Sequence, residues 1–120
     1  MLVYSLALDW ARDNSLIDNF EVMRGFYKEP SSQKARGLVV RPFGGSVPGT
    51  VQRYVLSSFV FISSVNDDLE NLESSINSII NATLCKFTYK GYNISCTTGL
   101  PQPTLNTDGR VVYELFIRIE

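Results

Sequence analysis

Histidine is absent from these 120 residues. That removes the familiar Ser–His and Cys–His pairs, because no imidazole is present to take the nucleophile's proton. Lysine or a carboxylate could substitute, but nothing in the pattern nominates one. Cysteine is scarce, with only Cys85 and Cys96, too few soft ligands at that spacing for a zinc centre. No apolar run reaches the ~20 residues a membrane-spanning helix needs. The start, Met1 to Leu8, is apolar, but Asp9 and Arg12 interrupt it and no basic segment precedes it. It reads as a helix docking on the core rather than as a leader. An excess of one charge is missing too. A net charge of −1 gives the whole chain no drive toward nucleic acid or anionic membrane. Phe43–Thr50 is Gly-rich yet lacks the Gly-Lys-Ser/Thr ending of a phosphate loop, and no helical pattern follows it. Asp67, Asp68 and Glu70 lie close together, but acids at the start of a helix are expected for its dipole alone. Without a leader, Asn81-Ala82-Thr83 and Asn93-Ile94-Ser95 are chance matches to the glycosylation pattern, and the two cysteines read as reduced thiols. The expectation is a non-enzymatic protein with no catalytic residue, no cofactor and no metal.

What is present is a well-patterned core. The hydrophobic share of 44% and charged share of 19% are those of a globular chain, and the length suits one domain over residues 1–120. Leu2, Leu6 and Trp10 recur every four residues with Val3, Ala7 and Ala11 beside them, one apolar helix face that ends at Asp13-Asn14-Ser15. Ile17–Tyr27 reads as a strand that bends near Gly25. Gly37–Pro42 is a short strand, and Pro42, which has no N–H to donate, either ends its ladder or sits on an edge. Arg53–Ser63 is a central strand with Tyr54, Leu56, Val60 and Ile62 on one face and Val55, Phe59 and Phe61 on the other. With both faces partly apolar it should be covered on both sides, by a helix on one and by a second layer or a partner subunit on the other.

Asn66-Asp67-Asp68 opens the longest helix, Asn66 capping its free amides. Leu69, Leu72, Ile76, Ile79, Ile80 and Leu84 then trace its apolar stripe. Cys85–Cys96 reads as a hairpin turning at Lys90-Gly91. Residues whose numbers sum to about 181 then face each other: Tyr89 with Tyr92, Phe87 with Ile94, and Cys85 with Cys96, the last pair as small buried thiols. Thr97–Gly109 is a long loop of turn-formers. In the final strand Val111, Tyr113, Leu115, Ile117 and Ile119 alternate with Arg110, Glu114, Arg118 and Glu120, Val112 and Phe116 being the outward exceptions. The fold class expected is α+β: a mostly antiparallel sheet of about four to six strands, with an N-terminal helix and one long helix over residues 66–84 packed on it.

Two loops carry apolar residues stranded among polar ones. Phe43, Gly44, Gly45 and Val47 lie in the first, and Leu100, Pro101 and Leu105 in the second. Each is a candidate contact to a partner. For the first, a wide hairpin loop and a docking arm both remain open. Lys34, Arg36, Arg41 and Arg53 are candidate basic contacts, with solvated strand ends as the plainer reading.

The order of elements resembles a tail terminator, or tail-completion, protein of a long-tailed bacteriophage, a group also described as minor tail or minor capsid proteins. The residues that carry the resemblance are Arg53–Ser63, the acidic helix start Asp67-Asp68-Leu69-Glu70 with its long helix, and the ending Gly109–Glu120. The likeness is one of pattern over most of the length, and no single motif in it is diagnostic. It implies a virion protein, assembled in the host cytoplasm, that forms a hexameric ring on the tail tube, stops its polymerisation and offers the head a docking surface. Its partners would be further copies of itself, the tail tube protein and a head-completion or connector protein, with DNA only passing through. The chain lacks the distinctive basic segment that would mark a lumen. A head-side neck completion protein and a small adaptor or tail-assembly module are the alternatives. An unfamiliar enzyme would need a pocket with perturbed carboxylates such as Glu21 or Glu114.

Overall fold

A computed structural model describes residues 6–18, 20–25, 36–45, 54–64, 69–85, 88–97, 99, 101–105 and 109–120. The elements follow as α1 (Leu6–Asp13), β1 (Phe20–Arg24), β2 (Arg36–Gly45), β3 (Val55–Ile62), α2 (Leu69–Cys85), β4 (Thr88–Tyr89), β5 (Tyr92–Cys96), β6 (Thr104–Leu105) and β7 (Val111–Ile119). The strands run in the order β1-β2-β3-β7-β5-β4, with β6 also on β7. The α+β class holds, with a short first helix and a long second one on the sheet. The count differs, at 7 strands among the described residues, and β1 pairs β2 in parallel. The hydrophobic pattern of a strand has no direction, so it reports which face is buried but not which way the neighbour runs.

α1 ends where the residue types predicted. Ser15 takes a left-handed φ of 56°. Leu16 N–H donates to the Ala11 carbonyl at 2.9 Å and Ser15 N–H to that of Arg12 at 3.0 Å, the paired bonds that close a helix C-terminus. Leu6, Ala7, Leu8, Trp10 and Ala11 are all buried. In α2 the buried stripe is Leu72, Ile76, Ile79 and Thr83. Leu69 and Leu84, expected to extend that stripe, are exposed, because they lie at the helix ends. Asn66, Asp67 and Asp68, the expected cap, lie outside the described residues.

Both helices share one core with one face of the sheet. That face carries Phe20, Val22, Leu38, Val40, Phe59, Phe61, Ile94, Tyr113, Leu115, Ile117 and Ile119. The ladders agree with it, setting Val22 beside Leu38, Leu38 beside Phe61, Phe61 beside Tyr113 and Ile94 beside Ile119. Tyr113 joins the layers: its buried ring fills the core and its hydroxyl donates to Glu73 Oε1 of α2 at 2.5 Å. Burial first, and then the bond to the Glu73 carboxylate, push the Tyr113 hydroxyl up to about 12. Ser57 is a flaw in the same layer, fully buried with no hydrogen-bond partner for its hydroxyl among the described residues.

Three expectations are corrected here, and of the two readings of Pro42 the edge position is the one that holds. Pro42 does not end its strand: β2 runs on to Gly45. The Val40 carbonyl accepts from Gly25 N–H at 2.9 Å, so Val40 faces β1. Pro42, two residues on, faces the same way, past Arg24↔Val40, the last of the described β1 ladder, where no N–H is called for. The tail of the hairpin register holds, with Thr88↔Asn93 and Tyr89↔Tyr92 and a turn at Lys90 (φ 49°) and Gly91 (φ 84°). Both central residues are left-handed, the turn that matches strand twist. Cys85, however, is the last residue of α2 and exposed, while Cys96 is half-buried and pairs with Ile117. Helix propagation through Asn81–Cys85 outcompetes the strand pattern there, and the two thiols are not opposed. Phe87 lies outside the described residues. The Thr97–Gly109 segment holds β6, Thr104 lying opposite Val112. Arg110, read as an outward residue, is 0% exposed, its Nη1 donating to the Ser63 carbonyl at 2.8 Å.

Ile76→Ala should lower unfolding free energy by about 2–5 kcal/mol, whereas Ser57→Ala should leave it unchanged or raise it by up to ~1 kcal/mol, since the alanine removes an unsatisfied buried hydroxyl. Urea titrations of the two variants check both. A pH effect follows from Tyr113. Its folded pKa lies above the unfolded value, so its neutral form is favoured by folding and its contribution is complete below about pH 10. That contribution is lost as pH rises from there through about 12. Unfolding midpoints measured from pH 9 upward should fall more steeply in the wild type than in Tyr113→Phe.

Candidate interaction surface

The second face of the sheet carries neither described helix. Alternation along each strand sends to it Met23 of β1, Val39 and Arg41 of β2, Leu56, Ser58, Val60 and Ile62 of β3, and Val112, Glu114, Phe116 and Arg118 of β7. Val39 and Ile62 are buried and Val60, Val112 and Phe116 half-buried. The expectation that the central strand has apolar residues on both faces therefore holds, and one of those faces is helix-covered.

A bulge shapes this surface. The ladder runs Pro42↔Ser57 and then Gly44↔Leu56, which leaves Phe43 as the extra residue. Gly44 takes a φ of 118°, a region that residues with a Cβ rarely enter. The bulge turns Phe43 over the outer face, where its ring lies 4.4 Å from that of Phe116 at 41°. Phe43 nonetheless stays 54% exposed.

The charges of the face are held in pairs. Glu114 Oε2 accepts from the Ser58 hydroxyl at 2.8 Å and from Arg41 Nη2 at 3.4 Å. Arg118 lies over the Tyr54 ring, 4.2 Å from its centroid, and forms an ion pair with Glu120. Beside Glu114 a concavity of about 360 Å³ is lined by Arg41, Val60, Pro101, Gln102, Thr104, Val112 and Glu114. Ser58 beside a carboxylate resembles a nucleophile and base, but Ser58 is 0% exposed and the contact orients Glu114 instead. Glu21 sits on the edge strand β1, away from this concavity. Among the described residues no group of three or more His, Cys, Asp or Glu could hold a metal, and no described helix is long and apolar enough to cross a membrane.

The structure brings together part of the predicted contact set. Phe43, Gly44, Gly45, Arg41 and Pro101 fall on or around this face. Phe43, Gly44 and Gly45 belong to β2 rather than to a loop, because the bulge prolongs the ladder. Leu105 is 75% exposed but pairs with Val111, a residue of the core side. Arg36 and Arg41 do not form one basic patch. Arg36 shares the parity of core-facing Leu38, so the two arginines leave β2 on opposite faces. Val47, Leu100, Lys34 and Arg53 lie outside the described residues. Sequence reasoning missed Glu114–Ser58–Arg41, whose members come from three strands. The signal available was the repeated outward polar residue at one strand position.

Such a surface suits recognition between proteins. A model of the phage tail termination protein family matches residues 1–120, the whole chain. The chain belongs to that family of structural tail proteins, and so is a virion component. No curated protein matches the chain in sequence.

Phe43→Asp should leave the fold intact at a cost of about 0.5–1.5 kcal/mol, the size of one aromatic pair. Thermal melts of the variant check this; outright unfolding would place Phe43 in the core.

Proposed function

We propose that this protein closes the end of a phage tail. Copies assemble into a ring, with a hexamer expected, that caps the tail tube, stops its polymerisation and presents a docking surface to the head. Its partners are then further copies of the chain, the tail tube protein and a head-completion or connector protein, while DNA passes through. The observation that carries this reading is the match of the tail termination family along the entire length. The sheet face supports it: apolar residues and internally paired charges fit a protein neighbour better than a polyanion, which would select unpaired arginines and lysines.

Light scattering coupled to size exclusion, with negative-stain images of the largest species, should show a hexamer-sized ring with a central hole, free in solution or on purified tails. Tails assembled without the protein should be of uneven and excessive length, and adding it should stop their growth. Binding to heads while leaving tail length unaffected would overturn the reading in favour of a head-side neck protein.

A further inference from the structure

The two cysteines take no part in the function proposed above, yet their places in the fold are linked. The hairpin pairs Thr88 with Asn93 and Tyr89 with Tyr92. Counted back three residues from Thr88 and on three from Asn93, the same register sets Cys85 opposite Cys96. Asn93 exchanges both backbone bonds with Glu120, so Tyr92, Ile94 and Cys96 turn their backbone groups the other way, toward the side of β4. An opposed pair of that kind has Cα atoms about 5.5 Å apart, inside the ~4.4–6.8 Å that a disulfide spans. In the structure α2 keeps Cys85 as its last residue, exposed. Cys96 is half-buried at the same end of the helix, where its thiol and the Thr83 hydroxyl share a hydrogen bond. Thr83 precedes Cys85 by two residues, so the helix end already lies beside Cys96.

What separates the thiols is the last turn of α2, and little holds that turn. Thr83 is its last buried residue, and Leu84 is 76% exposed. Unwinding beyond Thr83 therefore gives up little apolar burial. The turn has no basic residue to offset the negative end of the helix dipole, and terminal turns open most readily. We propose that Cys85 and Cys96 close to an intramolecular disulfide when the protein passes from a reducing to an oxidising medium, the end of α2 unwinding to let Cys85 reach across. The chain is a virion component. It is made in a cell, where thiols stay reduced, and leaves into a medium where they do not. The oxidant is a small-molecule disulfide. The exposed Cys85 thiolate attacks one of its sulfurs, which releases one small thiol and leaves a mixed disulfide on Cys85. The Cys96 sulfur then attacks the Cys85 sulfur and expels the second small thiol. The two protein thiols lose their protons to the two departing thiolates, so one external disulfide is reduced as the protein disulfide forms. Burial pushes the Cys96 thiol up, and its bond with Thr83 opposes this less. Cys96 is thus the poorer first nucleophile and the second to react.

The test incubates the folded full chain with oxidised glutathione, alkylates the remaining thiols and maps the peptides. Each wild-type chain should lose two hydrogens, with Cys85 joined to Cys96, and should run as a single chain in denaturant without reductant. It should melt about 5–10 °C above its reduced form. Cys96→Ser should stop at glutathione on Cys85, and Cys85→Ser should be modified about tenfold more slowly than Cys96→Ser. A wild type that stops at the mixed disulfide, or that links separate chains through Cys85, would overturn the proposal. Purified virions in which both cysteines take up the alkylating agent would overturn it as well. None of these outcomes depends on the ring, whose own test is light scattering and imaging.

Discussion

β7 is paired along both of its edges: with β3 from Val112 to Ile119 on one side, and with β6 and β5 on the other. Its alternation therefore sets two surfaces together. Tyr113, Leu115, Ile117 and Ile119 enter the core under the helices, and Glu114, Phe116 and Arg118 belong to the face that carries neither described helix. A slip of one residue against β3 would exchange the two sets, burying three residues of which two are charged. What prevents the slip lies at the end of the ladder. Ser63 N–H donates to the Val111 carbonyl at 2.8 Å, and Val111 N–H donates to the Ser63 hydroxyl at 2.7 Å. Buried Arg110 holds the Ser63 carbonyl. A buried guanidinium is costly to leave unbonded, so this clamp penalises any other register.

That dependence explains what could be read from the chain. The parity of β7, the Tyr89↔Tyr92 register and the Schellman-type end of α1 depend on neighbours within a few residues, and the pattern states them directly. The parallel β1–β2 pair does not, since period two carries no direction. Arg110 was placed outside by simple alternation, yet its environment comes from Ser63, 47 residues away. Phe43 was legible as an unusual apolar residue in a polar stretch. Its bulge was not, because a bulge is defined by counting against a partner strand. Glu114, Ser58 and Arg41 come from three strands and meet only once the sheet has formed.

The pairing of charges on the second sheet face and its suitability for a protein neighbour have one physical origin. A catalytic site concentrates unpaired or strained polar groups where a substrate can reach them. On the second sheet face the carboxylate of Glu114 is shared by a serine and an arginine, and Arg118 is taken up by Tyr54 and Glu120. Charges paired in this way weaken the pull on a polyanion and lower the cost of covering the face with protein, since each ion already has some of its solvation replaced. Membership of a structural tail family agrees with that distribution of charge.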